Sequence, residues 1–199
     1  MLHLPRLLLG VSTAALLAGA ALAKDDITIA IQLEPPHMDP TSAAAGAIDS
    51  VLYSNVFEGL TRFMSDGSVV PGLAESWDIS EDGLTYTFKL RSDVTFHDGT
   101  TMDAEEVKFS LDRIGAEDSA NAQKALYSAI SEVNVVDPMT VEVKLSEPNG
   151  NLIFNLAWGD AVIVAPESIE GIKQTPIGTG AFKFDSWTQG DKVELSRND

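Results

Sequence analysis

A loop of small residues is the first feature whose composition suits a chemical role. Thr41 to Ala47 reads TSAAAGA, so five of its seven residues are Ala or Gly: Ala43, Ala44, Ala45, Gly46 and Ala47. Small side chains let a ligand approach the backbone closely, and free N–H groups at the start of a following helix attract anionic groups. A tightly packed connection explains the same residues, and the pattern alone favours it. The loop is therefore a candidate ligand-binding segment with a structural alternative.

Trp158 is the second candidate. It precedes Gly159 and Asp160 where we expect a short helix to give way to a strand. An indole in that place can stack on a ligand, whereas a core or interdomain tryptophan is the commoner use of the residue. Trp158 is therefore a candidate ligand contact, and the buried alternative stays open.

Metal chemistry lacks the side chains that it needs. The chain has no cysteine, and His37 and His97 are its only histidines after residue 23. His97 follows Phe96 in a turn and has no second ligand at metal spacing, so we interpret it as a structural histidine that bonds its own turn. The segment from Asp78 to Gly83 imitates the start of a calcium loop, but Lys89 stands where a bidentate Glu is required. We expect an acidic turn there and no metal.

Catalytic chemistry is equally unsupported. Gly178-Thr179-Gly180 lacks the Lys of a phosphate-binding loop, so a tight turn is the simpler interpretation. No serine stands in the G-x-S-x-G context of a hydrolase nucleophile. Glu105 and Glu106 are neighbours on a predicted helix and point apart, which suits a solvated helix start rather than an acid–base pair. We therefore expect no catalytic residue and no cofactor.

The stretch from Leu73 to Arg113 carries the clearest structural signals. Apolar and polar residues alternate from Leu84 to Leu90, which is the period of a half-buried β-strand. Asp103 stands three residues before Glu106, the spacing of a capping box at a helix start. We expect the helix to bury a stripe formed by Val107, Leu111 and Ile114.

Elsewhere the pattern predicts many short strands and few helices. We expect strands at 27–32, 60–64, 133–136, 140–145, 161–165, 182–187 and 192–196, and helices at 47–58, 119–130 and 151–158. The strands at 133–136 and 140–145 should pair as a hairpin. The fold class is therefore mixed α+β.

The N-terminus has the pattern of a secretory leader. Arg6 precedes an apolar run from Leu7 to Leu22, and Ala21-Leu22-Ala23 matches a cleavage site. The run is short of the about 20 apolar residues that a membrane span needs, although an uncleaved anchor is the alternative. We predict a signal peptide at 1–23 and, because no cysteine follows, an exported protein that is not a lipoprotein.

The charge of the chain excludes polyanionic partners. Its formal net charge is −17, and removal of Arg6 makes it one unit more negative. This sign opposes the binding of nucleic acid phosphates and of anionic lipid headgroups. We expect no nucleic acid partner.

Taken together, the residues resemble the bacterial extracellular solute-binding proteins of the dipeptide, oligopeptide and nickel type, family five, of ABC importers. The similarity covers the chain after the leader and consists of spaced motifs. These are Asp39-Pro40, Phe57-Glu58-Gly59-Leu60, Pro71-Gly72-Leu73-Ala74-Glu75-Ser76-Trp77, Asp82-Gly83, Tyr86-Thr87-Phe88, Leu90-Arg91, Phe96-His97-Asp98-Gly99, Ala104, Val107, Val136-Asp137, Thr140-Val141, Gly178-Thr179-Gly180 and Arg197-Asn198. Family members continue well beyond Arg197-Asn198, so we expect an N-terminal fragment.

The resemblance implies a two-lobed periplasmic binding protein of type II, peptide-binding subclass, of which the first part of lobe one and an inserted domain are present. Residues 24–59 and 160–199 would belong to lobe one and 60–159 to the inserted domain. The protein would be a monomer and no enzyme, and would carry a small molecule or short peptide to an ABC permease in the inner membrane. By position, Ala44, Ala45 and Gly46, with Ala47 adjoining, would line the ligand cleft.

Several alternatives stay open. Within the family the solute could instead be a nickel complex, an opine, another amino-acid conjugate or an oligosaccharide. From another class, the same scaffold could serve an exported binding or chaperone-like protein without a role in transport. An exported hydrolase is a further alternative, but it needs a nucleophile and base that the sequence does not offer together.

Overall fold

The computed structural model describes residues 26–43 and 45–199. The predicted signal peptide at 1–23 and Ala44 of the small-residue loop lie outside these residues. The chain divides into two units, one ending at Ala30 and the other spanning Ile31–Asp199. Within the described part, 26–32 holds no strand, so the strand predicted at 27–32 is wrong. Its apolar alternation is present, but a strand also needs a hydrogen-bonding partner, and none of the described ladders includes it.

The regular elements confirm a mixed fold with many strands. In chain order the strands are β1 (Thr61–Phe63), β2 (Val69–Pro71), β3 (Ala74–Ile79), β4 (Thr85–Leu90), β5 (Ile130–Asp137), β6 (Thr140–Leu145), β7 (Phe182–Thr188) and β8 (Lys192–Arg197). The α-helices are α1 (Gly46–Leu52), α2 (Ala104–Gly115) and α3 (Leu152–Asn155).

The four-stranded antiparallel sheet, with the order β3–β4–β6–β5, is the largest of the described sheets and is called the central sheet below. Phe88 of β4 pairs with Val141 of β6, and Tyr86 pairs with Val143. These side chains are buried, as the alternation predicts, and the hairpin of β5 and β6 is also confirmed. Strands β1 and β2 form a separate ribbon, and so do β7 and β8.

Helix α2 begins with the predicted capping box. A carboxylate oxygen of Asp103 accepts the Glu105 N–H at 2.7 Å, and Glu106 accepts the Asp103 N–H at 2.8 Å. The helix packs against β5 and β6 with a buried stripe that includes Val107, Leu111 and Ile114. Burial raises the pKa of Glu106 although the Asp103 N–H favours its charged form.

The helix predicted at 119–130 is wrong. The structure has one short 3-10 helix there, Lys124–Tyr127, and β5 begins at Ile130. Asn121 explains the difference, because its carbonyl oxygen accepts the Gln123 N–H at 2.9 Å and its amide donates to the Asp160 carbonyl at 2.9 Å. Such side-chain bonds compete with helical ones, and only the tertiary structure supplies the Asp160 partner.

Helix α1 ends earlier than predicted, at Leu52 rather than near residue 58. Ser54 then adopts a left-handed conformation (φ 58°), and its N–H donates to the Phe57 carbonyl at 2.8 Å. A non-glycine residue rarely takes this conformation, so a tight turn is imposed on the chain here. The turn brings Asn55 and Val56 to the position where they contact the Gly178-Thr179-Gly180 segment.

Two groups of buried apolar side chains meet along residues 161–165. Ala161, Ile163 and Ala165 belong to the group built on the central sheet and α2, whereas Val162 and Val164 belong to the group built on α1. Ala161 ends a short 3-10 helix, and the rest of the segment joins no described ladder, apart from one bridge between Val162 and Gly59. The strand predicted at 161–165 is therefore absent from the described strands, although its burial is correct. The predicted domain division at 59/60 and 159/160 stays a prediction, which these two groups support.

Candidate functional site

The backbone of the small-residue loop is extended where it enters α1. Ala45 is extended (φ −108°, ψ 105°), and its carbonyl accepts the Ile48 N–H at 2.7 Å. Gly46 is exposed, and a Cβ built there meets no heavy atom of the described residues within 4 Å. Ala47 is half-buried. Packing therefore does not require glycine at position 46, which weakens the alternative of a tightly packed connection.

The beginning of this loop is fixed by a buried carboxylate. Asp39 is 1% exposed and accepts hydrogen bonds from the Thr41 N–H at 2.9 Å and the Thr41 hydroxyl at 2.6 Å. Arg113, in the last turn of α2, places Nη2 at 3.4 Å from Oδ2 of Asp39 and also donates to the Thr41 hydroxyl. The ion pair thus ties the loop to the helix that covers the central sheet.

Trp158 lies at the surface. Its side chain is 38% exposed and meets Phe63 and Phe154 edge to face, with ring centroids 6.1 and 6.3 Å away. Phe63 and Phe154 are themselves 4.8 Å apart. We call these three rings the aromatic cluster, and Trp158 is its partly exposed member. Trp158 is therefore not a core residue, and the interdomain alternative stays open.

The two sets of predicted residues lie on neighbouring elements. Oδ1 of Asp49 in α1 lies 2.2 Å from the position that a Cβ at residue 159 would take, so the Asp49 side chain lies directly against Gly159. The short 3-10 helices Pro40–Ser42 and Gly159–Ala161 also pack side by side. The Tyr53 hydroxyl adds a bond to the Ala157 carbonyl at 2.5 Å. The structure thereby brings Ala45, Gly46 and Ala47 to the same part of the molecule as Trp158.

Two carboxyl groups at this contact have perturbed acidity. Burial raises the pKa of Asp49. Burial and the negative charge of Asp49 together raise the pKa of Asp160 to about 6. Below them, Tyr127 is buried and donates to the Asn155 carbonyl at 2.9 Å, and both burial and the charge of Asp160 raise its pKa. The contact is therefore an acidic site that resists the ionisation of both carboxyl groups.

Sequence reasoning missed Asp49 and Asp160. The chain has 30 Asp and Glu residues, so no single acidic residue stands out. The pair Gly159-Asp160 carried a weak signal, because a glycine next to an apolar run often marks a close approach of another chain segment. Nothing in the sequence names Asp49 as the group that approaches.

His97 has a structural role, as predicted, but its partner is not its own turn. Its Nε2 lies 2.9 Å from the Gly180 carbonyl, and the Gly178 N–H points to Nδ1 at 3.4 Å. These contacts fit a neutral ring that donates from Nε2 and accepts at Nδ1. Burial lowers the pKa of His97, while the bond to Gly180 opposes this effect. The histidine joins two turns that are 81 residues apart in sequence.

The Gly178-Thr179-Gly180 segment is a close-contact motif. A Cβ at Gly178 would lie 2.0 Å from the Val56 carbonyl oxygen, and one at Gly180 would lie 2.2 Å from that of Asn55. The Thr179 hydroxyl donates to Glu58 at 3.0 Å. Positions 178 and 180 therefore need glycine, because the backbone of Asn55 and Val56 passes against them. This close contact explains why the two glycines are separated by one residue.

In the part of the chain that the structure describes, potential metal ligands do not cluster. Residues 26–43 and 45–199 contain no group of three or more His, Cys, Asp or Glu placed to hold a metal ion. Asp82 instead accepts the Ser80 hydroxyl at 2.6 Å and the Leu84 N–H at 3.0 Å, as an acidic turn does. The helices in the same ranges are all too short or too polar to cross a membrane.

Comparison with known proteins places these observations in a family. The family model described as bacterial extracellular solute-binding proteins, family 5 Middle, matches residues 68–199. Among curated proteins, the chain is 34% identical over 189 residues to the glutathione-binding protein GsiB of Pectobacterium atrosepticum, covering 93% of this chain and 37% of that one. It is 36% identical over 198 residues to GsiB of Escherichia coli K12, covering 95% and 37%. The chain thus spans about 37% of the length of these relatives.

Three solved structures of ligand-bound proteins are similar in fold to this chain. NikZ of Campylobacter jejuni in complex with Ni(L-His) has a TM-score of 0.76 and 32% identity, covering 84% of this chain and 34% of that one. AgaA of A. tumefaciens R10 with agropinic acid has a TM-score of 0.77 and 33% identity, with coverage of 82% and 34%. DppA of Helicobacter pylori with the peptide STSA has a TM-score of 0.72 and 28% identity, with coverage of 81% and 37%.

Proposed function

Because the chain belongs to family 5 of the bacterial extracellular solute-binding proteins, we propose that it is part of a periplasmic receptor that captures a peptide-like solute for an ABC importer. The receptor closes two lobes around the solute, delivers it to the permease in the inner membrane, and performs no chemistry on it. It is exported by the signal peptide at 1–23 and works as a monomer. The family match over residues 68–199 is the observation that carries this proposal.

The relatives support a small peptide as the first solute to test. The curated proteins at 34–36% identity bind glutathione by name, and one structural neighbour holds a four-residue peptide. A nickel complex and an opine are the second candidates, because neighbours with TM-scores of 0.76 and 0.77 hold Ni(L-His) and agropinic acid. We rank the peptide first because the glutathione-binding relatives match nearly the whole chain.

The proposed binding surface consists of Ala44, Ala45, Gly46 and Ala47 together with Trp158. Its support is the open backbone at Gly46 and the exposed indole of Trp158, which lie on elements in mutual contact. The ion pair of Asp39 and Arg113 fixes the beginning of the loop. A solute can therefore contact the backbone of the loop while one of its planar groups lies on the indole.

The test is calorimetric titration of the full-length protein with glutathione, with a tripeptide panel, and with Ni(L-His) and agropinic acid. Binding of a peptide together with a higher melting temperature supports the proposal. Binding of the nickel complex or opine alone replaces the solute but keeps the receptor function. Binding of none of them argues against a receptor for these classes.

A pair of variants then tests the surface. Gly46→Trp fills the open space at the loop, and we expect at least a tenfold loss of affinity with an unchanged melting temperature. Gly115→Trp is the matched control, because Gly115 is also exposed and a Cβ there meets no heavy atom of the described residues within 4 Å. Equal affinity of both variants for the peptide would place the solute elsewhere.

A further inference from the structure

Four pairs in the chain have an aspartate or asparagine directly before a glycine, and one of them differs from the rest in its hydrogen bonding. In three pairs the glycine N–H donates to the carbonyl of the third residue before it, at 2.9 Å in each case; these are Asp66-Gly67, Asp82-Gly83 and Asp98-Gly99. In the fourth pair, Asn149-Gly150, the glycine N–H has no acceptor among the described residues. The Gly150 nitrogen is therefore free, whereas the other three are held in turns.

The Asn149-Gly150 pair lies in the turn that leads into α3. Gly150 is exposed, and a Cβ built there meets no heavy atom of the described residues within 4 Å. Oδ1 of Asn149 accepts the Asn151 N–H at 3.0 Å, whereas Nδ2 of Asn149 has no acceptor in the described part of the chain. The side-chain oxygen is therefore bound to a donor that stabilises negative charge on it, while the side-chain nitrogen has no hydrogen bond to lose.

We propose that Asn149 is a site of spontaneous deamidation in the folded protein. The Gly150 nitrogen gives its proton to a base from the solvent and attacks Cγ of Asn149. The new N–Cγ bond replaces the Cγ–Nδ2 bond, and ammonia leaves with a proton returned by the solvent. Glycine permits this ring closure because it has no Cβ to obstruct the approach. The Asn151 N–H stabilises the negative charge that develops on Oδ1 during the attack.

Water then opens the cyclic imide at either of its carbonyl carbons. Cleavage of the bond between the Gly150 nitrogen and Cγ gives aspartate with an unchanged main chain. Cleavage of the bond between that nitrogen and the main-chain carbonyl carbon gives isoaspartate, whose main chain runs through Cβ and Cγ. Both products exchange an amide for a carboxylate, and water is the only reactant that the conversion consumes.

The isoaspartate product removes an anchor of this turn. The Asn149 carbonyl accepts the Tyr86 hydroxyl and the Leu152 N–H, each at 3.1 Å, so it joins β4 to the first turn of α3. In isoaspartate that carbonyl belongs to a carboxylate on a side branch, and the main chain is longer. We therefore expect a lower melting temperature for the isoaspartate form than for Asn149→Asp, which adds the charge without altering the main chain.

The direct test measures reaction rates in the folded full-length protein and in the same protein in concentrated urea. Peptide mass spectrometry follows deamidation at Asn149, and electron-transfer fragmentation follows isoaspartate formation at the three Asp-Gly pairs. We expect folding to slow the reaction at Asn149 by less than about tenfold, and at the Asp-Gly pairs by more than about tenfold, because their N–H groups react only after local opening. The rate at Asn149 should also rise with hydroxide concentration between pH 6 and pH 8.5, since the nitrogen must lose its proton.

Gly150→Ala is the variant that tests the attacking nitrogen. The added methyl group meets no described neighbour, and it should slow deamidation of Asn149 by about tenfold or more in the folded protein and in urea alike. Gly115→Ala is the matched control, because a Cβ at Gly115 also meets no heavy atom of the described residues within 4 Å, and it should leave the rate unchanged. A rate at Asn149 that falls by about tenfold or more on folding would overturn the proposal. So would a rate that Gly150→Ala does not change, and the measurement in urea stays valid if that variant fails to fold.

Discussion

Arg113 and Asp39 are 74 residues apart in sequence, yet Nη2 of the arginine lies 3.4 Å from Oδ2 of the aspartate. The pair joins the last turn of α2 to the loop that leads to Gly46. It therefore couples the helix that packs on the central sheet to the proposed binding surface. The aspartate is almost inaccessible, whereas the arginine side chain is 27% exposed.

Replacement of Arg113 by Ala should destabilise the protein. Loss of one partner leaves a buried carboxylate unpaired, and after allowance for the partial exposure of the arginine we expect a loss of about 2 kcal/mol in the free energy of unfolding. Urea denaturation measures this value. Arg91→Ala is the control, because the Arg91–Asp93 pair is exposed and should contribute less than about 0.5 kcal/mol. Similar losses in both variants would show that the Asp39 pair is no more than a surface contact.

His97 should make stability depend on pH. Its folded pKa is below the usual value of 6.5, so the unfolded chain takes up a proton at a higher pH than the folded protein does. The contribution of the neutral ring is then complete above pH 6.5 and is lost as the pH falls through the folded pKa. We expect the stability difference between the wild-type protein and His97→Gln to shrink from pH 7.5 to pH 5.5. A constant difference across this range would contradict the assigned neutral ring.

Asp160 should have the opposite effect. Its folded pKa is about 6, raised from 3.8, so the folded protein holds the proton more tightly than the unfolded chain. Stability that is present below pH 3.8 is therefore lost as the pH rises through 6. We expect Asp160→Asn to stabilise the protein at pH 7.5 by on the order of 2 kcal/mol and to have little effect at pH 4. Thermal denaturation at pH 7.5 and pH 4 measures this stabilisation, and Asp78→Asn is the exposed control. Equal effects of Asp160→Asn at the two pH values would refute the raised pKa of Asp160.

Gly178 should not tolerate any side chain. A methyl group there would lie 2.0 Å from the Val56 carbonyl oxygen, so Gly178→Ala must displace backbone and should cost more than about 3 kcal/mol. Gly150→Ala is the control, since a Cβ at Gly150 meets no heavy atom of the described residues within 4 Å. We expect that change to lie within about 0.5 kcal/mol of the wild type. Chemical denaturation distinguishes the two, and a stable Gly178→Ala variant would disprove the close contact.

The correct sequence predictions share one property, which is that their causes are local. The alternation of β4, the capping box of Asp103 and Glu106 and the buried stripe of α2 each depend on residues within one or two turns of each other. The family was also recognisable from short motifs along the chain, and the match over residues 68–199 confirms it. These features were available before any tertiary contact was known.

The wrong predictions depend on distant partners. The helix predicted at 119–130 fails because Asn121 bonds to the Asp160 carbonyl. The strand predicted at 161–165 is replaced by the end of a 3-10 helix at Ala161 and by a single bridge from Val162 to Gly59. In each case the local preference was outweighed by a contact that has no trace in the segment itself.

The candidate site divides in the same way. The sequence determined that the loop at Ala44–Ala47 is small and that Trp158 is a conspicuous aromatic, since both are properties of composition. Only the tertiary structure decided that the loop and the indole lie on touching elements and that Asp49 lies against Gly159 beside Asp160. The physical reason is that burial and electrostatic pairing act over distances in space, and the spacing of residues along the chain does not encode those distances.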